Sequence, residues 1–359
     1  MIATSGAVDV GALDPHSPDA GVAAHYGDPM REQRTLATGV GLVDRSHRGV
    51  LAIPGADRLD WLHSLTTQHL SRLAPLTGTE LLVLSPHGHV EHHALVTDDG
   101  STTWLDVEPG AAPALLDFLN RMRFMMRVEP ADVSRDWALL SLVGPDTDEV
   151  LLALGVGPLL PPDLIAVPGP KFAAGSVPSR PTAGYSVAAL PAFTGWARRV
   201  VGGADLLVPR AAVADLVGAA GVGLCGIWAY EAIRVAARRP RLGFESDHRT
   251  LAAEVGWTGS AVHLDKGCYR GQETVARVHH LGRPPRKLVL LHLDGVGTDH
   301  PPAQGTPVST ADGRTVGFVG TGVRHFELGI VALAVLRRNV ADDTPLLVAE
   351  SAAAIDPEG

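Results

Sequence analysis

The chain has 359 residues, of which 45% are hydrophobic, 19% charged and 5% aromatic. That length exceeds one ordinary hydrophobic core, and the composition is globular rather than disordered, so about two or three structural units are expected. The net charge of -9 argues against a surface built throughout for nucleic acid, the two cysteines, Cys225 and Cys268, exclude a disulfide framework, and the longest apolar run, residues 150–160, is broken by Gly and Pro and falls short of the roughly 20 residues of a membrane helix.

The opening residues carry Asp9, Asp14 and Asp19 and lack a basic start followed by an apolar stretch, so no export signal is read. Residues 1–30 are expected to form a loose tail, and a reducing cytoplasm is the simplest home for two free thiols. Gly49 to Ile53 reads as a strand ended by Pro54-Gly55, and Leu59, Leu62 and Leu65 place one apolar face on a helix over 56–65. Residues 80–85 and 89–97 read as a hairpin turned at Pro86-His87-Gly88, residues 101–107 as a further strand, and residues 109–123 as an amphipathic helix carrying Leu115, Leu116, Phe118, Leu119 and Met122. Trp137 to Val143 is a buried strand, and Asp146 opens a helix with acidic residues in its first turn, where the macrodipole favours them.

Residues 155–183 hold many Pro and Gly and read as a long loop before strands near 186–190 and 204–208. Gly226 to Ala237 is a helix by the recurrence of Ile227, Tyr230, Ile233 and Arg234. After a loop over 266–283, Pro284-Pro285 marks a boundary, and the strands KLVLLHL, TPVST, TVGFVGTG and GIVALAVL make a small β-barrel or sandwich. The expected parts are 1–30 as tail, 31–134, 135–283 and 284–359.

The segment Lys266-Gly267-Cys268-Tyr269-Arg270-Gly271-Gln272-Glu273, with Arg277 beyond it, carries the chemistry. Cys268 lies between two glycines that let the backbone bend, among Lys266, Arg270, Arg277, His279 and His280, whose positive charge favours a thiolate. A Cys in a polar loop makes a poor core residue, whereas Cys225 in GVGLCGIW reads as core. The alternation of His87, His89, Glu91 and His93 puts four side chains on one strand face, a spacing from which a metal site could be built; solvated or cavity-lining imidazoles fit better, because neighbours on one straight strand rarely close a tetrahedron. Two cysteines cannot supply the four thiolates of an ordinary iron-sulfur cluster.

The segment resembles the K-G-C-Y-x-G-Q-E-x-x-x-R motif of the YgfZ family of folate-binding proteins, which assist iron-sulfur protein maturation. GVGLVDRSH, WALLSLVGP, Phe193-Thr194-Gly195 and AYEAIRVAA are similar to stretches of the aminomethyltransferase (glycine cleavage T-protein) superfamily, to which that family belongs. The resemblance implies an α+β fold of three parts in a ring around a central folate cavity, with a ferredoxin-like part and a C-terminal β-barrel. It implies tetrahydrofolate or a derivative as cofactor, and iron-sulfur client proteins or assembly machinery as partners, with tRNA modification served through them. Neither direct nucleic-acid binding nor a membrane is expected.

Cys268, assisted by Lys266, Arg270 and Arg277, is then the reacting group, and Gly267, Tyr269, Gly271, Gln272 and Glu273 shape the loop. Arg234 matches the Arg of a superfamily helix and is the expected contact for the folate's anionic part. His92, Glu91, Asp44 and His47 are wall candidates, with Ser46, although Asp44, Ser46 and His47 also suit turn and cap roles. Where aminomethyltransferases carry a hairpin Asp, this sequence has His89-Val90-Glu91-His92, which disfavours glycine cleavage chemistry without removing a folate-dependent aminomethyl or demethylating transferase as the alternative. A Cys-His acyl-transfer enzyme using His279 or His280 lacks an orienting Asp or Asn.

Overall fold

The structure, a computed structural model, describes residues 2–162, 184–295 and 300–357. The chain divides into two compact units. Unit 1 comprises Met1–Leu84, Glu91–Ile227 and Thr258–Arg270, and unit 2 comprises Ser85–Val90, Trp228–Trp257 and Gly271–Gly359.

Unit 1 begins with β1 (Val8–Asp9), α1 (Val10–Leu13), β2 (Ala23–His25) and α2 (Pro29–Thr38). The segment expected as a loose tail is therefore ordered. Two of its aspartates are N-caps: Asp9 accepts from the Gly11 amide at 2.6 Å, and Asp28 accepts from the Met30 and Arg31 amides, with Pro29 in the first turn. Val22, Ala23 and Ala24 are buried, which a short run of small apolar residues between polar ones concealed in the sequence.

The sheet of unit 1 is built from β3 (Gly41–Asp44), β4 (Gly49–Pro54), β5 (Thr77–Leu84), β6 (Val90–Asp98), β7 (Thr102–Val107), β8 (Ala131–Asp132), β9 (Trp137–Val143), β10 (Tyr185–Leu190), β11 (Gly195–Val200), β12 (Gly203–Pro209) and β13 (Leu224–Cys225). Among the described residues these lie in the order β13-β3-β9-β12-β11-β10-β5-β6-β7-β4-β8. The expected boundary between residues 134 and 135 falls inside this sheet, because β3, before it, pairs antiparallel with β9, after it.

Two helical layers cover it. α3 (Arg58–Leu65) and α4 (Ala112–Arg121) bury Trp61, Leu62, Leu115, Phe118 and Leu119 against Leu51, Ile53, Leu81 and Leu105. α5 (Thr147–Ala153) and α6 (Val213–Ala220) bury Val150, Leu151 and Leu216 against Leu140, Leu142, Leu206 and Val208. Each such aliphatic or aromatic side chain contributes about 1.5–3 kcal/mol on leaving water. Inside the unit, Arg198 on β11 is fully buried between Asp106 (2.8 Å) and Asp205 (2.7 Å), and Arg45 and Arg48, from the turn after β3, reach Asp205 and Asp106 respectively. Arg48 also meets Glu108, so three guanidiniums face three carboxylates and the buried charges balance.

Unit 2 holds α7 (Ile227–Ala236) from Trp228 on, α8 (Gln272–Leu281), and β14 (Arg286–Leu293), β15 (Pro307–Thr310), β16 (Thr315–His325), β17 (Gly329–Arg337), β18 (Leu346–Val348) and β19 (Ser351–Ile355). The six strands close into a barrel in the order β14-β17-β16-β15-β18-β19, as expected for residues 284–359. Strand alternation gives two apolar faces. Val289, Leu291, Ala332, Ala334 and Leu336 belong to one core, while Leu290, Val331 and Leu333 bury Ala232 and Val235 of α7. The expected part 135–283 is thus divided: 228–257 and 271–283 go with the barrel, and 258–270 goes with the sheet.

Candidate functional site

Residues 258–270 are strapped to the turn that follows α3. The Thr67 hydroxyl donates to the Ala261 carbonyl (2.6 Å), the His263 amide to the Thr67 carbonyl (3.0 Å), and the Gln68 side-chain amide to the Ser260 carbonyl (3.1 Å). Lys266 completes the strap. Only 4% exposed, it donates from Nζ to the carbonyls of His63, in the last turn of α3, and of Thr66 and Gln68 just beyond it. Three ammonium donors meet three acceptors, although burial pushes the group down to about 7. The Tyr269 ring lies over Nζ at 5.1 Å, and burial pushes its phenol up to about 12.

Between these anchors the chain turns outward, and Gly267 and Cys268 are exposed. Cys268 is a free, exposed thiol; Cys225 is free and buried, pushed up to about 12 by burial and by Glu32. Of the cations expected around the Cys268 thiol, Lys266 is committed to backbone carbonyls and Arg270 to Glu91 at 3.3 Å, both of that pair being partly exposed. Arg277 stands exposed on α8 in unit 2. The expected loop over 266–283 ends early, because Gln272 and Glu273 open α8, with Glu273 in the favourable first turn. Gly271 caps that helix at φ +81°, and a Cβ there would stand 2.7 Å from the Ser85 carbonyl oxygen, so this glycine is required. His279 and His280 sit in the last turn, rings 5.8 Å apart.

The candidates for folate contact are engaged within the protein. Asp44 accepts from the Ile2 amide (2.7 Å) and the Ser46 amide (2.9 Å), and His47 Nε2 meets Asp19 at 3.0 Å; both tie down the N-terminal segment. His92 faces the Phe118 ring, and burial together with Arg121 lowers its pKa. Arg234, 3% exposed on α7, directs its donors to Glu231, Glu245, the Arg239 carbonyl and Thr321. That is the geometry of a clamp between α7 and β16, not of a guanidinium presented to a ligand.

Two polar clusters escaped the sequence reading. His63, His69 and His263 gather beside Lys266, with ring centroids 4.6 Å (His63–His69) and 5.5 Å (His69–His263) apart. Burial, reinforced by the ammonium, holds His63 down to about 4 and lowers His69; burial and then His69 lower His263. The second cluster is Glu80, which accepts from His93 (2.9 Å), Ser260 (3.2 Å) and the Tyr185 hydroxyl. Burial works to raise this carboxyl, yet its hydrogen bonds prevail and hold it below its usual range. The histidines of HSLTTQHL were the available signal for the first cluster; the second joins residues too far apart in sequence to be paired by eye. Among the described residues no group of three His, Cys, Asp or Glu could hold a metal ion.

The GCVT N-terminal domain family matches residues 24–157. A protein of Arabidopsis thaliana named "putative transferase", chloroplastic, is 28% identical over 300 residues, 82% of this chain and 65% of that protein, so the chain spans just under two thirds of that relative. The aminomethyltransferase of Geobacillus kaustophilus is 31% identical over 320 residues, 86% of this chain and 82% of that protein. The chain belongs to the aminomethyltransferase family. The fold matches a solved structure: the crystal structure of the glycine cleavage system aminomethyltransferase T from Bartonella henselae covers 98% of this chain at a TM-score of 0.75, with 18% identity and 93% of that chain covered. In the hairpin stretch singled out in the sequence, Glu91 is bound to Arg270 and His92 faces Phe118. No helix among the described residues is long and apolar enough to cross a membrane.

Proposed function

We propose that this protein is a folate-binding factor that assists the assembly or repair of iron-sulfur proteins, and through them tRNA modification, with the thiol of Cys268 as its reacting group. The observation that carries this reading is the contrast between the two thiols. Cys268 is exposed between two buried or half-buried anchors, while Cys225 is buried and inert. A lone exposed thiol suits transient contact with a client protein, a cluster iron or a sulfur species held elsewhere, and not permanent ligation of a cluster.

The folate is carried here by family membership. Asp44, His47, Glu91 and Arg234 meet protein partners instead of presenting polar atoms to a pterin or a glutamate tail, so the expected contacts do not fit the cofactor. The test is complementation of iron-sulfur enzyme defects in a deletion strain. Cys268→Ser should fold, as judged by its urea transition, and fail to complement; full rescue would sink the proposal.

A second reading, a folate-dependent aminomethyl or demethylating transferase, is favoured by the names of the relatives. It requires turnover of methylene-tetrahydrofolate with an aminomethyl donor and a loss of that turnover in Glu91→Gln or His92→Ala. Absence of turnover removes it.

A further inference from the structure

Lysines are among the residues least often fully buried, and a buried one normally faces a carboxylate. Lys266 instead reaches three main-chain carbonyls, of His63, Thr66 and Gln68, where α3 ends. Backbone acceptors fix position whatever side chains surround them. Charged and titratable groups around this point are His63, His69, His263, Arg72 and Asp265, and the imidazoles are held neutral by burial. Three residues on, Tyr269 returns to the same place and covers Nζ. A chain pinned at 266 and again at 269 carries the residues between them outward: the chain bends at Lys266, Gly267 and Cys268 are exposed, and a Cβ on Gly267 would meet nothing within 4 Å.

We propose that Lys266 is the positioning residue for Cys268: its Nζ binds the carbonyls at and just after the end of α3, Tyr269 closes over it, and the pair together extrude the thiol into solvent. This rests on the reading that Cys268 is the reacting group, but the geometry is testable without any assay of that function. Lys266→Met keeps most of the apolar stem and removes all three donors, whereas Lys266→Arg keeps donors to the same carbonyls.

Amide hydrogen exchange over residues 262–270 and the rate of Cys268 alkylation by iodoacetamide at fixed pH report on the loop, with exchange in β9 and β12 as the reference for the fold. Losing charge-assisted hydrogen bonds should lower protection of 262–270 by about ten-fold or more in Lys266→Met while β9 and β12 stay protected. The alkylation rate should shift in the same variant, and Lys266→Arg should restore part of both. Exchange and alkylation within two-fold of wild type in Lys266→Met would overturn the proposal. Should that variant not fold, Tyr269→Leu leaves the donors in place and removes the cover; an unchanged loop there overturns it equally. Rescue by Cys268→Ser in complementation would remove the thiol reading and leave the positioning intact, so the two failures are distinguishable.

Discussion

Arg234 offers the sharpest test of how this chain uses its charges. Its guanidinium meets Glu231 at 2.8 Å, Glu245 at 3.2 Å and Thr321 at 2.7 Å, together with the Arg239 carbonyl, and 3% of the residue is exposed. Removing it in Arg234→Met leaves two buried carboxylates facing one remaining cation, Arg241, which meets Glu231 at 3.2 Å. Breaking one side of a buried ion pair costs about 3–5 kcal/mol, much of it the burden of the uncompensated charge. Arg234→Lys keeps the charge but reaches fewer acceptors from a single point, for about 2 kcal/mol. Urea unfolding followed through the six tryptophans measures both, and calorimetry with tetrahydrofolate on the folded variants asks whether a ligand is involved. The expected order is wild type, then Lys, then Met in stability, with folate affinity changing less than three-fold in whichever variant folds. A Met variant as stable as wild type that loses folate affinity ten-fold would refute the clamp and return the guanidinium to a ligand.

Ellman's reagent should titrate one thiol rapidly, that of Cys268, and Cys225 only on unfolding; a fast second thiol in the folded protein would contradict the burial of Cys225. Stability should fall as pH drops from about 6.5 towards 4, because His63, His69 and His263 bind protons more weakly folded than unfolded, so the unfolded chain takes up more protons in that window. After discount for partial exposure His63 alone contributes about 1–2 kcal/mol of that loss. Lys266, lowered from 10.5 to about 7, acts with the same sign between those values, so urea midpoints that are flat or rise on acidification from pH 8 to 5 would contradict both shifts. Gly271→Ala, forced to φ +81° with its Cβ against Ser85 and Gly88, should cost about 1–3 kcal/mol in thermal unfolding, and a neutral result would show that the turn into α8 relaxes freely.

The barrel strands, α3, α4, α7 and the strand at 137–143 were legible because each repeats its apolar residues at the period of its own geometry. α8 was not, since QETVARVHHL buries only Val275 and its three other apolar positions, Ala276, Val278 and Leu281, are diluted by polar neighbours. β11 was hidden by Arg198 and Arg199, residues that read as surface; the first is fully buried because Asp106 and Asp205 neutralise it, a pairing invisible along one dimension. The exposure of Cys268 was readable from its polar, glycine-flanked setting. The destination of each cation was not, because Lys266 finds carbonyls some two hundred residues earlier, and Arg270 finds Glu91 across a similar distance.

These two contacts bear on which chemistry the site can support. Lys266 fixes one end of residues 266–270 beside α3, and Arg270 fixes the other end on β6 through Glu91. A general base in the hairpin would have to be Glu91, and Arg270 holds that carboxylate in an ion pair from which it would need release before accepting a proton. The pair is over a third exposed on both sides, so it is worth at most about 1 kcal/mol and release is cheap. The transferase reading requires Arg270 to release Glu91, and the same contact that occupies Glu91 also holds the loop that carries Cys268. A catalyst working through Glu91 would release the Arg270 end of the Cys268 loop each time it acted, whereas one working through Cys268 requires no release of Lys266 or Arg270.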